Sequence, residues 1–204
     1  MPELHSALAS TYTVGTFGAR RESPAVILSE CAPRCLIQLS GWPDNFGSIC
    51  ERITTHLAVR VPVDCLTARA HEDVTVFRVG PTRLWFVCDD SCGRRLRDFF
   101  ASFDAMDAVV TEIDHSRTVI RVCGPEARTL LNRGLPIDVE NTTFPEHVFV
   151  QSVIHHVPVL LHRLPSQADP IFEIYVPREY AVTFWEWLVE AAAPLGGRVD
   201  REGV

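Results

Sequence analysis

Two periodicities alternate along this chain. A two-residue alternation of apolar and polar side chains, rich in β-branched residues, predicts strands over residues 34–39, 74–79, 83–88, 108–113 and 117–123. Gly80-Pro81-Thr82 joins the second and third of these as a tight turn. A helical stripe follows the first strand: Phe46, Ile49, Cys50, Ile53 and Leu57 fall on one face, behind Asp44 as a candidate N-cap. Ser91 is placed to cap a second helix carrying Leu96, Phe99, Phe100 and Phe103.

The same grammar then repeats. After the strand at 117–123, Gly124-Pro125 breaks the chain, and Pro125 suits a first helical position. Ala127, Leu130 and Leu131 recur at helical spacing, with Gly134 as the expected left-handed stop. Residues 148–154 and 157–162 predict a hairpin turning at His155-His156, and 171–176 predict another strand. Pro177 opens the longest apolar stripe, Ala181, Phe184, Trp185, Leu188, Val189 and Ala192, which Pro194 and Gly196-Gly197 end. RCLIQLSGWPDNFGSI from Arg34 and RTVIRVCGPEARTLL from Arg117 share a strand, a Gly turn with Pro and a helix start. VTVFRV…RLWFVC and VPVLLH…IFEIYV match in the same way, each followed by a helix.

This predicts an α+β fold of two similar βαββαβ-like halves, residues 34–113 and 114–204, with helices packed on antiparallel sheets. Residues 1–33 show no periodicity and predict an irregular N-terminal arm, free to lie on a partner.

Composition narrows the function classes. The chain has 204 residues, 47% hydrophobic and 22% charged, which is globular, and a net charge of −7, which does not suit a nucleic-acid binder. All 19 basic residues are arginine. The absence of lysine excludes a Walker-A phosphate loop, a pyridoxal Schiff base and any lysine nucleophile. Seven scattered cysteines, an odd number, suit a reduced protein better than a disulfide frame. No charged-then-apolar leader opens the sequence, so a cytoplasmic location is expected.

Candidate chemistry is thin. Asp114-His115-Ser116 holds the letters of a hydrolase triad, but neighbours on an extended chain point apart, and a turn with Asp114 bonding local backbone is expected. His155-His156 fails as a metal pair for the same reason. Cys31, Cys35, Cys88 and Cys92 depart from the usual C-x2-C zinc spacing, and Cys35 and Cys88 fall within strands. Glu72-Asp73 and Asp89-Asp90 suit turns or caps, and Arg94, Arg95 and Arg97 the solvated side of a helix. No G-x-G-x-x-G follows a strand. Thus no catalytic, cofactor-binding or metal-binding residue is assigned. Trp187 lies off the last helix's apolar stripe and is the one candidate contact for a protein partner.

Residues 114–145, DHSRTVIRVCGPEARTLLNRGLPIDVENTTFP, resemble the gamma subunit of bacterial heterotetrameric sarcosine oxidase. The resemblance continues through VPVLLHRL and FEIYVPREYAVTFWEWLVEAA, and in the first half survives at VFRVGPTRLWFV. There the family has an acidic residue and Trp soon after Gly-Pro, where this chain has Thr82, Arg83 and Leu84 before Trp85. That family is similar in fold to the folate-binding domain of the glycine-cleavage aminomethyltransferase, whose aspartate would fall near Asp73. The resemblance implies a non-catalytic subunit in a complex with alpha, beta and delta partners. That complex would demethylate sarcosine oxidatively to glycine and hydrogen peroxide, passing the methyl carbon to tetrahydrofolate or releasing it as formaldehyde. FAD, FMN, NAD and zinc would belong to the other subunits. The equivalent subunit of an N-methyl amino acid dehydrogenase, such as one for N-methylglutamate, and a free-standing folate-binding aminomethyltransferase-like protein are the alternatives.

Overall fold

The alternating and helical stripes fold as two α+β units in a computed structural model that describes residues 6–32, 34–140 and 142–201. In chain order the elements are β1 (Gly15–Phe17), β2 (Val26–Glu30), β3 (Cys35–Gly41), α1 (Phe46–Leu57), β4 (Ala68–Ala70), β5 (Val74–Gly80), β6 (Arg83–Cys88), α2 (Asp90–Phe100) and β7 (Ala108–Glu112). The second series is β8 (Arg117–Cys123), α3 (Ala127–Leu131), β9 (Phe149–Ile154), β10 (Val157–Leu164), β11 (Ile171–Pro177), α4 (Ala181–Ala192) and β12 (Gly197–Val199). Arg34–Asp114 form one unit, and His115–Val204 form the other together with the described part of Met1–Pro33. Among the described residues no helix is long and apolar enough to cross a membrane.

The duplication is visible in the topology. The smaller unit has a five-stranded sheet in the order β4-β5-β6-β3-β7, and every pair is antiparallel. The larger unit repeats it as β9-β10-β11-β8 and then β12, but β2 stands between β8 and β12. β2 is antiparallel to β8 and parallel to β12, so β12 keeps the direction relative to β8 that β7 has relative to β3. β1 then pairs with the outer edge of β12.

Residues 6–32 are therefore not the irregular arm that their composition suggests. Leu8, Ala25, Val26 and Leu28 are buried with α3, α4 and β8 in one apolar cluster. The apolar run at the start of β2 is short and shows no alternation, which is how a strand covered on both faces reads. Residues 1–5 and Pro33 lie outside the described residues. β4 and β12 were also not anticipated, being three-residue strands without a period to read.

Element ends differ from expectation where side chains reach beyond their neighbours. Asn45, not Asp44, precedes α1; its Oδ1 accepts from Trp42 N at 3.1 Å and its Nδ2 donates to Asp107 O at 2.9 Å. Asp89, not Ser91, caps α2, accepting from Cys92 N at 2.8 Å. Helix α3 starts at Ala127, after Pro125. Gly134 has no positive φ; its missing Cβ instead admits Trp187, whose Cζ2 would stand 2.6 Å from it. The hairpin between β9 and β10 turns at His155 and His156, as expected, with φ of 47° and 69° in a two-residue loop of the type that matches strand twist. A 3-10 turn, Arg178–Tyr180, separates Pro177 from α4.

Leu28→Ala tests the inserted strand. The side chain is fully buried, so its loss should destabilise the isolated chain by about 3 kcal/mol, read as a lower denaturation midpoint with an unchanged slope. An unchanged midpoint would mean that residues 6–32 are a detachable arm.

Candidate functional site

On β8 and β11 of the larger sheet, Ile120, Val122, Phe172, Ile174 and Val176 face the apolar cluster. The intervening positions therefore point to the opposite face. There the register places Ser29 opposite Arg121, Arg121 opposite Glu173, and Glu173 opposite His162. A row of four polar side chains crosses four strands. Ser29, Glu173 and His162 are buried, and Arg121 is half-buried.

Glu173 is the centre of this row. Its Oε1 accepts from Arg121 Nη2 at 2.9 Å, and Cys31 Sγ lies 3.9 Å from the same oxygen. Its Oε2 accepts from Tyr175 Oη at 3.1 Å. Ionised carboxylates are tolerated inside proteins when a counter-charge and further donors meet them, and all of these partners come from the same sheet or its flank. Both oxygens of this carboxylate are thus engaged by donors of the chain itself. The arrangement can lock strand register, and it can offer a polar platform, but it lacks the paired nucleophile and base of covalent catalysis.

A separate concavity of about 570 Å³ opens beside α4. Trp185 and Val189 contribute apolar floor, Glu186 and Glu190 an acidic wall, and the segment from Thr11 to Phe17 the other side. Tyr12 stacks on Trp185 with centroids 5.0 Å apart, and its hydroxyl donates to Asp200 O. This fixes the N-terminal segment against the helix.

The residues singled out from sequence are dispersed. Asp114 begins a 3-10 turn, but its partners are not local: Oδ1 accepts from Leu36 N at 2.6 Å, and Arg97 Nη2 lies 3.3 Å from Oδ2. Arg97 is not on a solvated helix side either, because its Nε also lies 3.0 Å from Glu112 Oε1. Arg95 pairs with Asp73 at 2.8 Å, which occupies that carboxylate. Arg94 is exposed. Asp89 is held below the usual carboxylate range by the Cys92 N–H it accepts and by Ser91. The rings of His155 and His156 lie 5.7 Å apart on a turn. Among the described residues no group of three or more His, Cys, Asp or Glu is arranged to hold a metal ion. Trp187 is half-buried; it stacks on His155 at 5.1 Å and packs near Phe184 at 5.8 Å. Its position off the stripe is thus used within the chain.

Sequence reasoning missed Glu173. The available signal was a charge inside IFEIYV, a strand otherwise apolar on both faces. Glu173→Gln should remove the carboxylate charge that faces Arg121 and destabilise the chain by about 3 kcal/mol in urea unfolding. Unchanged stability would mean that the Arg121–Glu173 pair does not hold the sheet.

The family model of the GCVT N-terminal domain matches residues 67–199. Over 190 residues the chain is 24% identical to the sarcosine oxidase subunit gamma of Corynebacterium sp. (strain P-1), covering 92% of this chain and 86% of that protein. It is 23% identical over 169 residues to the subunit gamma of Arthrobacter sp, covering 82% and 80%. Among solved structures, the heterotetrameric sarcosine oxidase from Corynebacterium sp. U-96 in complex with pyrrole 2-carboxylate matches with a TM-score of 0.74, 19% identity and 88% of each chain. The glycine cleavage system aminomethyltransferase T from Bartonella henselae matches with a TM-score of 0.65 and 17% identity, over 88% of this chain and 48% of that one. The resemblance carried by residues 114–145, and the α+β fold it implied, are borne out by these relatives. The chain belongs to the GCVT N-terminal domain family.

Proposed function

We propose that this chain is the gamma subunit of a heterotetrameric sarcosine oxidase, an oxidoreductase that demethylates sarcosine to glycine and hydrogen peroxide. The observation that carries the reading is the span of the similarity: it runs nearly end to end through curated gamma subunits. The likeness to aminomethyltransferase T covers about half of that protein and supports the fold alone.

The chain's own contribution is structural. The buried carboxylate of Glu173 is engaged by Arg121 and Tyr175, which supports a role in holding the sheet. Flavins, the nicotinamide cofactor, zinc and the folate that receives the methyl carbon belong, in this reading, to alpha, beta and delta subunits of a cytoplasmic complex.

Co-expression of a tagged chain with candidate flavoprotein subunits tests this. Stoichiometric capture of flavin-bearing subunits and sarcosine-dependent peroxide release by the assembly, but not by the chain alone, are expected. Full oxidase activity assembled without this chain would overturn the proposal. Saturable quenching of tryptophan fluorescence when tetrahydrofolate is added to the isolated chain would point instead to a folate-binding role.

A further inference from the structure

Three of the seven cysteines meet in the smaller unit, at the end of its sheet. Cys35 is the first residue of β3, Cys88 the last of β6, and the two are register partners across an antiparallel pair. Both belong to the apolar cluster under α1 and α2, so their side chains share one face. Directly opposed Cβ atoms in such a pair stand about 5 Å apart, within a small shift of the roughly 4 Å that a disulfide needs. Cys92, in the first turn of α2, completes the group and interacts with Cys88.

The surroundings of Cys35 differ from those of the other buried thiols. Arg97 Nη2 donates to its Sγ at 3.3 Å. Gly93 faces the same sulfur; a Cβ there would stand 2.6 Å from it, so glycine leaves the sulfur its space. Burial pushes the Cys50, Cys92 and Cys123 thiols up. Cys35 is held below the ordinary thiol range, first by the hydrogen bond from Cys88, with Arg97 also favouring the anion against burial, Asp114 and Glu112. Cys88 is correspondingly pushed up, because two thiols in contact cannot both ionise. The pair has one sulfur disposed to be a thiolate and a neighbour that retains its proton.

We propose that Cys35 and Cys88 form a peroxide-oxidisable dithiol site. The Cys35 thiolate attacks one oxygen of hydrogen peroxide, the O–O bond breaks, and the departing hydroxide takes a proton to become water. Cys35 is left as a sulfenic acid. The Cys88 sulfur then attacks the Cys35 sulfur, the S–O bond breaks, and the oxygen leaves as water with the Cys88 proton. Two thiols are oxidised to one disulfide, and one peroxide is reduced to two waters. The sulfurs are buried, but they lie at strand ends beneath the first turn of a helix whose Asp90 and Ser91 are exposed, where local fraying admits a molecule as small as peroxide. The site stands on this chain alone; the peroxide of the complex proposed above is one source of oxidant.

The test is peptide mapping of the folded full-length chain after peroxide treatment and alkylation, without reduction. The free-thiol titre should fall by two from seven, with a Cys35–Cys88 cross-linked peptide that dithiothreitol removes. Arg97→Gln should slow its formation several-fold, because it removes the guanidinium that donates to the Cys35 sulfur and favours its thiolate. Cys88→Ser should leave a Cys35 sulfenic acid that dimedone traps; if that variant does not fold, the Arg97→Gln rate decides. Oxidation confined to exposed Cys65, a Cys88–Cys92 link, or a link formed only in denaturant would overturn the proposal.

Discussion

The larger unit depends on backbone pairing supplied from outside its own repeat. Without β2, strands β8 and β12 would each carry unpaired N–H and C=O groups along an edge, which is both costly and an invitation to wrong pairing. The smaller unit has no such gap, because β7 pairs directly with β3. The duplication is thus unequal, and the inequality is made good by a segment that precedes both repeats. Its apolar side chains do the same on the core side, where Leu8, Val26 and Leu28 fill space between the sheet and its helices.

The polar face of that sheet follows from the same arrangement. β2 brings Ser29 beside Arg121, and Cys31, just beyond it, approaches Glu173. A buried arginine–glutamate pair adds little net stability over an apolar pair, but breaking it exposes one charge to a low-dielectric interior. Its value is positional, since only one register of β8, β11 and β10 puts these groups in line.

In the smaller unit, one of the three arginines that looked like solvated charge is drawn inward. Arg97 reaches Glu112, Asp114 and Cys35, tying α2 to the ends of β7 and β3. The same guanidinium steadies a carboxylate turn and a thiol, and so connects the letters of a false triad to the cysteine group. Neither link is readable from spacing, because the partners are far apart along the chain.

The order of strands and helices from β3 to α4, apart from the short β4, the paired repeats, the hairpin at His155-His156 and the family were legible in the chain itself. Each rests on local periodicity or on contiguous residues, and local chemistry needs no partner to be recognised. Four things required the tertiary structure: the two strands within residues 6–32, the Glu173–Arg121 row, the meeting of Cys35 with Cys88, and the intramolecular use of Trp187. All are contacts between residues distant in sequence. Strands of three and five residues are too short to show a period, and a cross-strand pair shows no motif. Only the register that packing selects brings such groups together.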